Sequence, residues 1–256
     1  MRELIRQFQE FFDIVPACDG DLLRQSLELR YRVYCLEKRY EDPQNYPEGL
    51  EKDEYDARSV HTILRHRSTG VVTGTVRLVL ANEKDESAFF PTEALGVLRR
   101  TGRDDMWRVP RHRLGEISRF AVSKVFRRRL GEQQTSHGIT DLRVGRDEAK
   151  GARYCPYVSL GLIKSVFHMS WENGVTHWYA SMEPGLIRLL RQLGIEFTPI
   201  GPLVNYHGLR QPCIGEVAKI FEGINHSQPL VGEFIAENRS WIGGECPQAA
   251  VERETV

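Results

Sequence analysis

The order of periodic segments predicts an α/β (α+β) fold, helices packed around one central mixed sheet. Three observations carry this. Val60 to Arg67 and Val71 to Leu80 are strand-like runs joined by Ser68-Thr69-Gly70, a hairpin signature. Leu114 to Ser123 is a further period-two run, and Tyr157 to Glu172 is apolar over a length that suits a buried helix. Helices precede the hairpin, and strand and helix alternate after it. At 256 residues the chain is long enough to bury a sizeable core.

Taken in order, residues 2–12 place Leu4, Ile5, Phe8, Phe11 and Phe12 at helical spacing. This predicts an amphipathic N-terminal helix within 1–18, its stripe packed inward or resting on a membrane surface. Asp19 and Asp21 are N-cap candidates for a second helix from Leu22 to about Lys38, with Leu23, Leu27, Val33 and Tyr34 on its apolar side. Tyr40 to Asp56 is an acidic loop punctuated by Pro and Gly, of a length uncommon unless it serves a site. Gly74 and Thr75 interrupt the second hairpin strand and predict a bulge. A charged connector with a short helix near Thr92 to Leu98 leads to the Leu114 run. There Ile117, Arg119 and Ala121 alternate with Glu116, Ser118, Phe120 and Val122, which sets Glu116 and Arg119 on opposite faces.

A basic loop, Arg127-Arg128-Arg129-Leu130-Gly131, follows, then a polar insertion over 131–155. After the Tyr157 helix come a strand at Thr176 to Met182 and a helix from Pro184 to Leu193 capped by Gly194. Phe197 to Val204 and Ile214 to Phe221 read as strands. The expected organisation is one domain over 1–230 and a weakly patterned tail over 231–256.

Charge is balanced at 35 basic and 35 acidic residues, so no global field for nucleic acid or an anionic membrane arises. Five scattered cysteines form neither a zinc pattern nor a disulfide framework and suit a reducing cytosol. The histidines lack metal-ligand spacing, and the N-terminus has no signal-peptide core. The expectation is a cytoplasmic protein with no metal. Dinucleotide and P-loop glycine patterns and the G-x-S-x-G elbow are all absent.

Complementary charged groups sit on separate segments: Arg32 on the second helix, Asp53 and Asp56 three apart in the loop, Arg77 in the hairpin, Glu116 and Arg119 in the Leu114 run. Arginines fix carboxylates by bidentate hydrogen bonds. A carboxylate left over is suited to bind an ammonium group or take its proton. A purely structural ion-pair network has the same composition.

The runs Arg30-Tyr31-Arg32-Val33-Tyr34, Glu51-Lys52-Asp53-Glu54-Tyr55-Asp56, His61, Gly74-Thr75-Val76-Arg77-Leu78 and Glu116-Ile117-Ser118-Arg119-Phe120-Ala121-Val122 resemble the acyl-homoserine-lactone (autoinducer) synthases. They resemble the long-chain N-acyl amino acid synthases more closely, and among these the acyltransferases associated with the PEP-CTERM/exosortase system. The resemblance spans about residues 20–222 and implies the fold of the GCN5-related N-acetyltransferase (GNAT) superfamily.

It also implies a fatty acyl donor, as a thioester of acyl carrier protein or coenzyme A, a small-molecule amine acceptor, and no tightly bound cofactor. Carried over by position, Glu116 is the general base, Asp53 and Asp56 orient loop and acceptor, and Arg32, Arg77 and Arg119 pair with them. The donor lies along Phe120, Ala121 and Val122, its carbonyl polarised by a main-chain N–H. Its phosphate meets Arg127, Arg128, Arg129 and Gly131, and the basic clusters offer an acyl carrier protein a rim. Glu132-Gln133 departs from the superfamily's phosphate-loop pattern, and the insertion separates this loop from the next helix, so the cradle favours the single phosphate of a carrier protein. Alternatives are lactone synthesis from S-adenosylmethionine, a coenzyme-A-dependent acetyltransferase, and a non-catalytic acyl-binding module.

Overall fold

The computed structural model describes residues 1–18, 20–98, 108–124 and 155–237, with residues 155–157 in backbone only. Asp19, the basic stretches at 99–103 and 127–131, the insertion up to residue 154 and the chain beyond 237 lie outside the described residues. Strands run in the order β1-β2-β3-β4-β5-β8-β6, with β7 paired to β8 alone. They are β1 Phe12–Pro16, β2 Ser59–His66, β3 Val72–Leu80, β4 Leu114–Val122, β5 His177–Met182, β6 Thr198–Pro199, β7 Val204–Asn205 and β8 Leu209–Glu216. All pairings are antiparallel except β4 with β5. The helices are α1 Arg2–Phe11, α2 Gly20–Tyr31, α3 Pro91–Ala94, α4 Cys155–Glu172, α5 Pro184–Arg191, α6 Val217–Ser227 and α7 Pro229–Ala236.

Gly74 and Thr75 show how the layers form. A Cβ on Gly74 would collide with Val158 and Leu162 of α4, whereas the neighbouring Thr75 hydroxyl meets Ser26 of α2 at 2.6 Å. Successive strand residues face opposite sides, so α2 and α4 cover opposite faces of the sheet. The α4 face holds the larger core, from Leu64, Val76 and Leu78 to Phe167 and Trp178. Leu29 of α2 and Val33, just beyond its end, close the other face over Ala121.

Four sequence expectations change. Phe12 opens β1 and pairs with His66, so α1 ends at Phe11. The second helix stops at Tyr31 and runs on as a wider π turn over Arg32–Glu37. Ile214 to Phe221 is not one strand: β8 ends at Glu216 and α6 begins at Val217, because a short apolar run fits either period. α7 crosses the 230/231 boundary and buries Phe234 and Ile235 in the core. Cys18 is disulfide-bonded while Cys35 and Cys213 are free, and sequence spacing does not reveal which thiols a fold brings together.

The stripe of α1 is spent on the protein's own core. Leu4 and Phe8 are buried, and Phe8 packs edge-on to Phe234 of α7 at 5.1 Å. Gly161 of α4 is the seat, because a Cβ there would enter the Phe8 ring. No helix among the described residues is long and apolar enough to cross a membrane. Gly161→Ala is expected to unseat α1 and destabilise the fold by about 1–3 kcal/mol, the usual cost of overpacking. Thermal unfolding checks this, and an unchanged midpoint would show that the contact is slack.

Candidate active site

Side chains that face the sheet recur at helical spacing along α2 and the π turn that continues it: Ser26, Leu29, Arg30 and Val33. Arg30 is therefore fully buried and Arg32, one residue pair further round the helix, is exposed. The arginine that meets the acidic loop is Arg30, not the expected Arg32. Its Nε donates to Glu51 at 2.6 Å, and its Nη1 and Nη2 donate to the two oxygens of Asp56 at 2.6 and 3.1 Å.

The loop ends in a tight turn over Glu54–Arg58 that Asp53 caps, its side chain accepting from the Tyr55 N–H while Asp56 accepts from the Asp53 N–H. This turn aims both aspartates at Arg77, which reaches Asp53 Oδ1 at 2.5 Å and Asp56 Oδ1 at 2.7 Å. Arg77 Nε donates to Ser118 of β4 at 3.0 Å. Glu51, fully buried, completes the cluster by accepting from Arg119 Nη2 at 2.9 Å as well as from Arg30. It lies in the same acidic run as Asp53, two residues earlier, and that proximity was its only sequence signal.

β4 departs from simple alternation here. Thr75 pairs with Ala121 and Arg77 with Ser118, so Val76 alone opposes Arg119 and Phe120: a β-bulge. Arg119 has a left-handed backbone, φ 51°, a conformation costing of order 1 kcal/mol outside glycine. The salt bridges to Glu51 and Asp53 hold it there. The bulge shifts the phase of the strand by one residue, which places Arg119 on the same face as Ser118 and Glu116. The expected opposition of Glu116 and Arg119 is thereby overturned.

Glu116 is almost fully enclosed, at 3% exposure. Its Oε2 accepts from the Thr92 N–H and its Oε1 from the Thr92 hydroxyl, both at 2.8 Å; that hydroxyl lies 3.0 Å from Ser181 of β5. Burial outweighs these two bonds and the Arg77 charge, pushing the Glu116 carboxyl up to about 7. Burial also pushes Glu51 up, but Arg30 and Arg119 outweigh it and hold that carboxyl down at about 2. Asp56 is likewise held well below its ordinary value, by Arg30 and Arg77 against burial. One acid poised near neutrality thus adjoins acids that stay ionised. Buried beside Arg30, His61 is held down at about 3 and is neutral.

β4 and β5 pair only from Leu114–His177 to Glu116–Tyr179, although both continue further. A cleft of ≈ 210 Å³ opens where they part. One end is polar, with Glu116, Ser118, Arg119, Glu41 and His207; the other is apolar, with Phe167, Trp178, Leu186 and Phe197. Phe120 lines it beside the β4 edge, and Tyr34 donates weakly to the Phe120 carbonyl at 3.4 Å. Ala121 and Val122 are buried in the sheet. Arg127, Arg128, Arg129 and Gly131 lie outside the described residues. Thr92, Ser181, Glu41 and His207 carried no sequence signal.

Residues 29–136 match the model of an acetyltransferase (GNAT) domain. An acyl-homoserine-lactone synthase of Vibrio anguillarum is 23% identical over 194 residues, 76% of this chain and 82% of that protein. Among solved structures, TofI in a ternary complex with an inhibitor and MTA superposes with a TM-score of 0.56 at 17% identity, over 86% of this chain and 98% of that one. The coenzyme-A-dependent acyl-homoserine lactone synthase BjaI, with SAM and isopentyl-CoA, gives 0.56 at 18%, over 87% and 89%. FeeM, an N-acyl amino acid synthase from uncultured soil microbes, gives 0.51 at 15%, over 85% and 96%.

Two consequences of the ion cluster are measurable. Glu51→Gln leaves two buried arginines short of a counter-charge and is expected to cost about 3–5 kcal/mol of stability. Because Glu51 and Asp56 titrate below their ordinary values, their stabilisation is complete above pH 4.5 and lost as pH falls toward about 2. Thermal midpoints should therefore fall steeply over that interval and less steeply in Glu51→Gln. This chain carries a GNAT-type acyltransferase fold with a carboxyl of near-neutral pKa in the wall of its cleft.

Proposed function

We propose that this protein is an N-acyltransferase that moves a fatty acyl group from a thioester to the amine of an amino acid or similar small molecule. The observation that carries the reading is Glu116: a carboxyl of near-neutral pKa in the wall of a cleft that is polar at one end and apolar at the other. An ammonium ion has no lone pair and must lose a proton before it attacks. Glu116, acting directly or through the Thr92 and Ser181 hydroxyls, takes that proton. The freed amine adds to the thioester carbonyl, and the oxyanion is met by a main-chain N–H of β4 beyond Glu116, where the edge facing β5 is unpaired. Collapse of the adduct forms the amide and breaks the C–S bond, and the proton that the attacking nitrogen sheds after addition neutralises the departing thiolate.

Arg77 and Arg119, fixed by Asp53, Asp56 and Glu51, hold the bulge of β4 and the polar wall rather than touching the reacting atoms. Acyl carrier protein and coenzyme A both suit the donor role. The sequence resemblance supports a carrier protein and a place beside the PEP-CTERM/exosortase system, and the want of a disulfide framework in the cysteine spacing supports a cytoplasmic setting. The likeness to acyl-homoserine-lactone synthases supports a second reading, in which the acceptor is S-adenosylmethionine and the product a lactone.

The test is product mass spectrometry with long-chain acyl carrier protein or acyl-CoA and an amino acid mixture, with and without S-adenosylmethionine. The expected result is an acylated amino acid that falls at least about 100-fold in Glu116→Gln, a loss typical of a general base. That variant keeps a hydrogen-bonding side chain for Thr92 and should fold. A lactone product would select the second reading; no amide and no lactone with any donor would remove both.

A further inference from the structure

The apolar stripe of α1 plays no part in the reaction just described, yet its Leu4 borders a second void that shares two wall residues with the cleft. A second void of ≈ 10 Å³ lies behind the apolar end of the cleft, bounded by Met1 and Leu4 of the N-terminal segment, Leu160 of α4, Ile224 of α6 and Val231 of α7. The two spaces share Ile163 and Ile195 in their walls. Ile163 projects from α4 one turn before Val166 and Phe167, which line the cleft on the same face. Ile195 follows Gly194, whose φ of 78° and close approach to the backbone of Gly223 in α6 hold the turn in place. Its N–H bonds the Leu190 carbonyl at 3.0 Å. The void is at the lower limit for one water, and its lining is almost wholly apolar, so it stays dry.

We propose that Ile163 and Ile195 form a partition that sets the longest acyl chain the cleft accepts, with α1 as the end wall behind it. This deepens the acyltransfer reading and rests on it for the identity of the occupant. Close-packed interiors retain few voids, and a dry one directly behind two side chains of the cleft is where a longer chain gains room at least cost. The wall behind is firm, because Phe8 is locked on Gly161 and against Phe234. The N-terminal helix is thus part of the donor site.

The test measures displacement of a fluorescent fatty acid by even-numbered saturated fatty acids, which needs no turnover, beside acyl transfer from the matching thioesters. In Ile163→Ala the preferred length should move upward, with about fourfold gained per extra methylene admitted, while the wild type gains nothing at those lengths. Adding Leu4→Phe refills the space and should restore the wild-type profile. Ile163→Val gives a smaller shift in the same direction if the alanine variant is unstable. A folded Ile163→Ala or Ile163→Val protein with the wild-type length profile overturns the proposal, as does a double variant that keeps the longer preference. A length shift seen in displacement without transfer from any thioester supports the partition and counts against the acyltransfer reading alone.

Discussion

The structure depends on one buried constellation, three arginines on three elements held by three carboxylates of one loop. Arg30 comes from α2, Arg77 from β3 and Arg119 from β4, while Glu51, Asp53 and Asp56 arrive together on the turn that follows the acidic loop. Charges buried this way are costly to desolvate, and their pairing only roughly repays that cost. What the cluster supplies is geometry. Each arginine spends several donors on fixed acceptors, so the loop, the helix and two strands have one mutual arrangement in which every charge is matched.

That arrangement shapes the cleft. Arg119 is held in a left-handed conformation by Glu51 and Asp53, and the resulting bulge keeps β4 out of register with simple alternation. Past Glu116 the strand no longer pairs with β5, and the space between them is the cleft. Glu116 stands at the fork, on the last paired residue, with Thr92 donating to both of its oxygens and no arginine hydrogen-bonded to it among the described residues. The same loop acids that neutralise the arginines leave Glu116 with the Thr92 bonds and a partial pull from Arg77, too little to offset burial, which lifts its pKa while theirs fall. Environment, not residue type, divides the carboxylates that stay ionised from the one poised near neutrality.

Much of this was legible in the sequence because it is local. Period-two runs located β2, β3 and β4, and an apolar stretch of helical length located α4. Asp53 and Asp56 stand three apart in one loop, a spacing that a single turn brings together. Other features depend on phase or on distant partners. Arg30 and Arg32 differ only in which side of the continuing helical path they occupy, and that is settled by packing against Thr75 and Ala121. Nothing in residues 116–122 announces a bulge, since it is imposed by Glu51 and Asp53 more than sixty residues earlier. Thr92 and Ser181 join Glu116 from separate elements, and no spacing rule links them. The apolar run across Glu216 and Val217 changes from strand to helix because β5 accepts pairing only up to that point.

The central claim is that Glu116 is the group whose proton state limits acyl transfer. The most direct measurement is the pH dependence of kcat/KM for wild type and Glu116→Gln with the same thioester and acceptor. The wild type should lose about tenfold per pH unit below an inflection near 7 and level off above it. Residual activity of Glu116→Gln should lack that inflection. The same inflection in both proteins, or a wild-type profile flat across pH 6 to 8, would contradict the account.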